Sequence, residues 1–387
     1  MRIAMVGLRG LPATFGGIEK HVEELGWRLA ERGHEVSVFC RPNYAGDLDL
    51  PTEFDYVAPV GRRPGRYRGM ILRNLPTVEG KGVEAFVHSG LAAASTVGRG
   101  FDVVHFHALG PGLFAPIPKF LTGAGVVQTI HGLDDERSKW GGLGSRLLQA
   151  GRWVSTRVPD EVVVVSRELG RVYSERHHRA TVYIPNGAPT VTPVAPGATL
   201  ARFGLEPGRY VLFVGRLVPE KRPDLLIRAF REVPGDARLV IVGDTANTHG
   251  YTGELKKLAA ADARVVMTGY LFGADLAQVM TSAGVFVQPS TLEGLPITLL
   301  EAAAYERPVV VSDIPPHLEV VGASARGHRV FPDGSQNDLT EAITAELADP
   351  AGGADGGREL AKAVRAHYDW DAATDQLIEV YRRAGRR

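Results

Sequence analysis

Short apolar runs alternate with amphipathic helical stretches along almost the whole chain, and the series occurs twice. In the first half the runs are Arg2–Val6, Glu35–Cys40, Val103–Phe106, Val126–Thr129, Val162–Val165 and Thr181–Ile184. In the second they are Tyr210–Val214, Arg238–Val242, Val265–Thr268, Val285–Val287 and Pro308–Val311. Runs this apolar suit strands buried on both faces, so the alternation predicts parallel sheets covered by helices on each side. Helices are expected over Gly17–Arg32, where Ile18, Val22, Leu25 and Leu29 recur at helical spacing before Gly33, and over Lys81–Val97. Leu339–Leu347, Glu359–Arg365 and Trp370–Arg383 follow in the second half, and the glycine-rich Ala351–Gly357 reads as a surface loop. Pro185–Gly208 holds five prolines and little charge and reads as a linker. The expected domains are therefore residues 1–190 and 205–365. Doubly wound sheets bind ligands beyond the carboxyl ends of their strands, so two such domains are expected to share a cleft.

A chain of 387 residues is long enough for two cores. Its formal net charge of zero gives no reason to expect a nucleic-acid partner. The single cysteine, Cys40, cannot form an intrachain disulfide, which fits a reducing compartment. Met1–Val6 turns at Gly7, too short for a signal-peptide core. No apolar stretch approaches the ~20 residues of a membrane span. The expectation is a cytoplasmic protein that meets a membrane, if at all, at its inner surface.

The stretch richest in chemistry runs from Ser290 to Ala304. Glu293 and Glu301 sit on either side of a strand-to-helix turn, with Pro296 suited to the first helical position. A helix N-terminus attracts phosphate, and carboxylates accept hydrogen bonds from hydroxyls. Together they suit a ligand carrying a diphosphate and sugars. Arg216 and Lys221, on the loop after Tyr210–Val214, make either a diphosphate-binding cation pair or a surface salt bridge. Gly269, Tyr270 and Leu271 end another strand and either seat a base or form an ordinary turn.

In the first half, Gly16 and Gly17 start a helix, where their N–H groups could approach a phosphate or simply make a flexible turn. His131 follows a strand directly and could contact a substrate hydroxyl, shuttle a proton, or pack in a loop. His105 and His107 alternate along one strand and so point to the same side. A metal would need a third ligand that the sequence does not identify, so no metal is expected. Asp134, Asp135 and Glu136 read as a solvated loop. Residues 56–78 carry Arg62, Arg63, Arg66, Arg68 and Arg73 and no acid. They read as an exposed loop or as a contact for an anionic acceptor or membrane surface.

These residues resemble the GT-B-fold, retaining glycosyltransferases of group 1, family 4. The resemblance rests on the Glu293–Glu301 motif, Gly215-Arg216 with Lys221, Val165-Ser166, Ile184-Pro-Asn186-Gly187 and the Arg307–Ser312 strand. The opening Gly10-Leu-Pro-Ala-Thr-Phe-Gly-Gly17-Ile-Glu-Lys-His-Val is similar to enzymes that assemble bacterial surface polysaccharides. The resemblance implies two Rossmann-like domains, an acceptor-side one and a nucleotide-sugar-binding one, with the C-terminal helix returning to the first. It implies transfer of a sugar from a nucleotide-diphosphate donor to a hydroxyl, such as that of a lipid-linked acceptor, without cofactor or metal. Arg216 and Lys221 would hold the diphosphate, and Glu301 the ribose. Glu293 with the N–H groups of Gly294 and Leu295 would hold the sugar. Gly16 and Gly17 would close on the diphosphate, and His131 would touch the sugar near the reacting carbon. Pro296, Tyr305, Glu306 and Pro315-Pro316 depart from the family's usual pattern. Two other functions stay open at this stage. One is an epimerase or phosphorylase on the same scaffold; the other is a non-catalytic nucleotide-sugar-binding subunit.

Overall fold

A computed structural model describes residues 1–14, 16–42, 56–61, 63–78, 83–133, 143–244 and 249–385. The chain divides into unit 1, Met1–Asn186 with Trp370–Arg387, and unit 2, Gly187–Asp369. Asp134, Asp135, Glu136 and Arg62 lie outside the described residues. Among the described residues no helix is long and apolar enough to cross a membrane.

Unit 1 begins with β1 (Arg2–Val6), α1 (Gly17–Glu31) and β2 (Glu35–Cys40). Then come β3 (Tyr56–Val57), β4 (Gly65–Tyr67), β5 (Met70–Asn74), α2 (Val83–Ala94) and β6 (Val103–His107). It continues through α3 (Leu109–Gly112), α4 (Pro116–Leu121), β7 (Gly125–Ile130), α5 (Leu143–Arg157), β8 (Glu161–Val164), α6 (Arg167–His177) and β9 (Val182–Tyr183). The sheet order is β3-β4-β5-β2-β1-β6-β7-β8-β9, parallel from β5 to β9. Ile3 and Met5 enter one buried cluster, Ala4 and Val6 another, as expected for a strand covered on both faces.

Unit 2 opens with α7 (Ala198–Phe203), β10 (Tyr210–Val214), α8 (Pro223–Arg231) and β11 (Arg238–Val242). Next are α9 (His249–Ala259), β12 (Val265–Gly269), α10 (Gly273–Ser282), β13 (Val285–Gln288), α11 (Ile297–Ala304) and β14 (Val309–Ser312). It ends with α12 (Pro315–Val321), β15 (His328–Phe331), α13 (Gln336–Ala348) and α14 (Pro350–His367). Its sheet is parallel throughout, in the order β12-β11-β10-β13-β14-β15. The chain then gives its last helix, α15 (Trp370–Ala384), to unit 1, where Leu377, Val380 and Tyr381 join the core cluster of α1 and β1.

Four local expectations need correction. Residues 56–78 are not a loop: β3, β4 and β5 form an antiparallel edge, and β5 pairs in parallel with β2. Burial of Tyr67, Met70 and Leu72 against α1 and β2 outweighs the charge around them. Pro185–Gly208 is not linker throughout, since it contains α7. Ala351–Gly357 is helical, within α14. Asp349 caps that helix by accepting from Gly352 N at 3.0 Å. A Cβ on Gly356 would lie 2.6 Å from Gly327 N, and one on Gly357 would collide with the Glu306 carbonyl. The glycines permit close packing that repays their poor helix propensity. Finally, Pro296 is the N-cap of α11 rather than its first residue.

Candidate active site

The strand order of unit 2 reverses between β10 and β13, and ligands of such sheets bind beyond that point. Two loops leave it. The loop after β10 carries Gly215 and Arg216, then a short 3-10 turn, Pro219–Lys221. The loop after β13 carries Ser290 to Leu295 and enters α11. Thr291 N donates to the Glu220 carbonyl at 2.9 Å, which ties the loops together. The Lys221 Nζ then donates to Glu293 Oε1 at 2.6 Å. Gln288, the buried last residue of β13, donates Nε2 to the same oxygen at 2.9 Å. Below them Ser312 Oγ donates to the Ser290 carbonyl at 2.5 Å, and His317 Nδ1 lies 3.1 Å from the Ser312 carbonyl.

This ion pair is mostly withdrawn from water, with side chains 16% and 11% exposed. Burial pushes the Glu293 carboxyl up, but the charge of the Lys221 ammonium and its hydrogen bond outweigh it and hold the group at about 2. Burial lowers His317 to about 4 against the upward pull of Glu293. The site therefore presents a fixed negative charge and a fixed positive charge at neutral pH, on a base of buried polar groups.

The remaining residues expected in unit 2 stand on the same framework. Arg216 is half-buried on the loop after β10, and Glu301 is half-buried inside α11. Gly294 and Leu295 are buried just before α11. Gly269 ends β12, the edge strand on one side, and Tyr270 donates its hydroxyl to the Asp244 carbonyl at 2.8 Å while stacking on Phe272. Leu271 is buried beside them. Lys221 and Glu293 are in direct contact. Pro315-Pro316 opens α12, and Glu306 holds φ of +61°, a conformation glycine adopts at no steric cost.

In unit 1 the strand order reverses between β1 and β6. The loop after β1 is pinned by carboxylates of the helix it enters. Glu19 Oε1 accepts from Arg9 N at 3.0 Å, and Glu23 Oε1 accepts from Ala13 N at 3.1 Å. Gly16 caps α1 at φ +110°, and a Cβ there would collide with Glu19 Oε2. Gly16 and Gly17 are exposed, but a carboxylate already sits beside this helix start.

His131 directly follows β7, and its Nε2 lies 3.2 Å from His107 Nδ1. His105 and His107 do share a strand face, with ring centroids 4.1 Å apart. His105 bridges Tyr381 Oη and Thr129 Oγ1, each at 2.7 Å. The sequence reading missed His21, buried on α1 and bonded through Nδ1 to Asn186 Oδ1 at 2.8 Å. Burial keeps three of these rings uncharged: it lowers His21 to about 4, partly offset by Asn186, and lowers His105 and His107 well below the usual imidazole range. It also missed Gln288, Ser290 and His317. Gln288 did carry a signal, a polar side chain closing an otherwise apolar strand. The basic segment splits: Arg63 and Arg66 are exposed, Arg68 lies 4.1 Å over the Trp27 ring, and Arg73 donates to Ser37 Oγ at 3.2 Å.

Two parallel α/β units, with the last helix packed on the first, define a GT-B glycosyltransferase fold. Residues 202–366 match the family "Glycosyl transferases group 1", and residues 15–191 match "Glycosyltransferase Family 4". The chain is 29% identical to the alpha-maltose-1-phosphate synthase of Mycobacterium tuberculosis, covering 99% of each chain. It is 28% identical to the D-inositol 3-phosphate glycosyltransferase of Kineococcus radiotolerans, covering 95% of this chain and 91% of that one. The solved sucrose-phosphate synthase of Thermosynechococcus elongatus superposes with a TM-score of 0.80 at 22% identity, covering 98% of each chain. The chain belongs to the group 1, family 4 glycosyltransferases, retaining enzymes that take a hexosyl unit from a nucleotide-diphosphate sugar.

Proposed function

We propose that this enzyme transfers a hexosyl unit with retention to a hydroxyl of a surface polysaccharide or glycoconjugate precursor, in the cytoplasm. The buried Lys221–Glu293 pair at the switch point of unit 2 carries this reading. Lys221 and Arg216 receive the diphosphate and meet the negative charge that grows on it as the glycosidic bond breaks. Glu293, held by Gln288 and Lys221, accepts from the sugar hydroxyls alongside the N–H groups of Gly294 and Leu295. Glu301 takes the ribose, and Gly269, Tyr270 and Leu271 take the base. Gly16 and Gly17 act on the diphosphate and His131 on the sugar. Approach of the donor makes Lys221 exchange part of its bond to Glu293 for phosphate oxygens, so its charge is oriented before substrate arrives. Membrane association would fall chiefly to the exposed Arg63 and Arg66, since Arg68 and Arg73 pack against the protein.

The opening Gly10–Val22 segment supports the polysaccharide assignment. The names of the relatives favour a second acceptor class, a small phosphate-bearing sugar or polyol. Nucleotide-diphosphate sugars should be incubated with phosphorylated monosaccharides and inositol, with lipid-linked saccharides, and without acceptor. Acceptor-dependent release of nucleotide diphosphate is expected, with lipid-linked saccharides as the productive arm. Turnover on the phosphorylated arm alone would replace the first acceptor class by the second. Conversion of donor without acceptor or free diphosphate would point to an epimerase instead.

A further inference from the structure

We propose that His21, His107 and His131 form a binding site for one divalent transition-metal ion of the zinc class. Each offers one ring nitrogen, and the three atoms lie within 4.8 Å of one another. His107 Nδ1 and His131 Nε2 are already 3.2 Å apart. Two nitrogens on a tetrahedral ion with bonds of ~2.0–2.1 Å stand about 3.3 Å apart, so this edge needs no movement. The other edges close by about 1.5 Å at most on that geometry, within reach of small ring rotations.

The hydrogen bonds leave the right atoms for a cation. With Asn186 Oδ1 as acceptor, His21 carries its proton on Nδ1. Its Nε2 is buried and has no hydrogen-bond partner, in a residue only 1% exposed. An orphaned basic nitrogen in a dry setting is costly, and a metal ion would satisfy it. The Nε2–H of His107 faces Met5 Sδ at 3.5 Å, which leaves Nδ1 as the lone-pair atom. On binding, the proton of His131 moves to its own Nδ1, and its Nε2 becomes the third donor. Burial keeps His21 and His107 uncharged at neutral pH, the state a ligand needs. His131 is half-exposed, which gives the ion its entry and a water its place as fourth ligand. Three imidazoles without thiolate or carboxylate suit zinc, cobalt, nickel or copper rather than magnesium or calcium.

The test is a titration of the full chain, stripped of metal, with Co2+ at pH 7.5. One equivalent is expected to raise the visible absorption bands of a four- or five-coordinate ion, and Zn2+ should abolish them. His21→Gln and His131→Ala should each lose the one-equivalent bands. Asn186→Ala, which removes the acceptor that holds the His21 ring, should weaken binding by about 10–100-fold. Circular dichroism and melting of each variant would establish that it is folded. Absence of the bands in the wild type, or bands of equal strength in folded His21→Gln, would overturn the site. Zinc inhibition of transfer would follow only through the proposed role of His131, so the spectrum tests the site independently of the function.

Discussion

At the reversal of its strand order, unit 1 gathers imidazoles that burial keeps uncharged. At the corresponding point, unit 2 holds an ammonium against a carboxylate. The strand topology through β5-β2-β1-β6 is the same as through β12-β11-β10-β13, so topology does not choose the chemistry. The chemistry follows from what each loop delivers. In unit 2 a 3-10 turn brings Lys221 onto Glu293, and the two charges survive burial as a pair. In unit 1 His105 lies within β6 and His107 ends it, His131 follows β7 and His21 comes from α1, and desolvation keeps His21, His105 and His107 uncharged.

The largest effect should come from breaking the pair. Lys221→Ala and Glu293→Ala are each expected to lower kcat/KM by about 10²–10³-fold, the range for a lost charge-stabilising donor. Lys221→Ala should also cost about 3 kcal/mol in stability, because it leaves a buried carboxylate alone. Steady-state rates and urea unfolding check both. Near-wild-type turnover in either variant would remove the ion pair from the chemistry.

Acid should separate the units. A neutral buried histidine contributes stability that is complete above its unfolded value of 6.5 and is lost as pH falls toward its folded value, here about 4 for His21 and His88. A depression of this size corresponds to about 3 kcal/mol per group. His105 and His107 add to unit 1, whereas unit 2 has His317 and a smaller contribution from His328. The stabilisation from Glu293 is lost only as pH falls from 4.5 toward about 2. Trp27, Trp153 and Trp370 lie in unit 1, and the sequence of unit 2, Gly187–Asp369, contains no tryptophan. Tryptophan fluorescence should therefore change between pH 6.5 and 4 ahead of far-ultraviolet circular dichroism. Coincident transitions would show that the units do not differ in this way.

Gln288→Leu keeps the volume and removes the second donor to Glu293. A charge-assisted hydrogen bond of this kind is worth about 1.5–3 kcal/mol, so turnover should fall about tenfold or more. An unchanged rate would leave Lys221 as the sole support that matters. The smallest effect lies away from both polar centres. Glu306→Gly relieves a left-handed backbone at φ +61° and gives up an exposed contact with Arg365 at 3.7 Å and the attraction to Arg307. It should raise stability by about 1 kcal/mol, read as a higher melting temperature with activity intact.

Much of this was legible because the deciding interactions are local. Continuous apolar runs can be satisfied only as strands covered on both sides, which yielded the paired parallel sheets. Glu293, Lys221, Arg216 and His131 were legible as residues just beyond strand ends. Their partners were not. His21 lies 165 positions from Asn186, and Gln288 looked like the end of a strand rather than a support. The arginines of residues 56–78 suggested exposure, whereas Tyr67, Met70 and Leu72 made them an edge of the sheet.

The sequence by itself determined the alternation, the parallel pairing of unit 2's sheet and of unit 1's from β5 to β9, and the polar residues at strand ends, because each depends on periodicity or on immediate neighbours. Only tertiary structure decided that Lys221 and Glu293 are paired, that four histidines meet, and that seven residues with four glycines form part of a helix. Those outcomes turn on desolvation and on close backbone approach, which exist only once distant segments pack together.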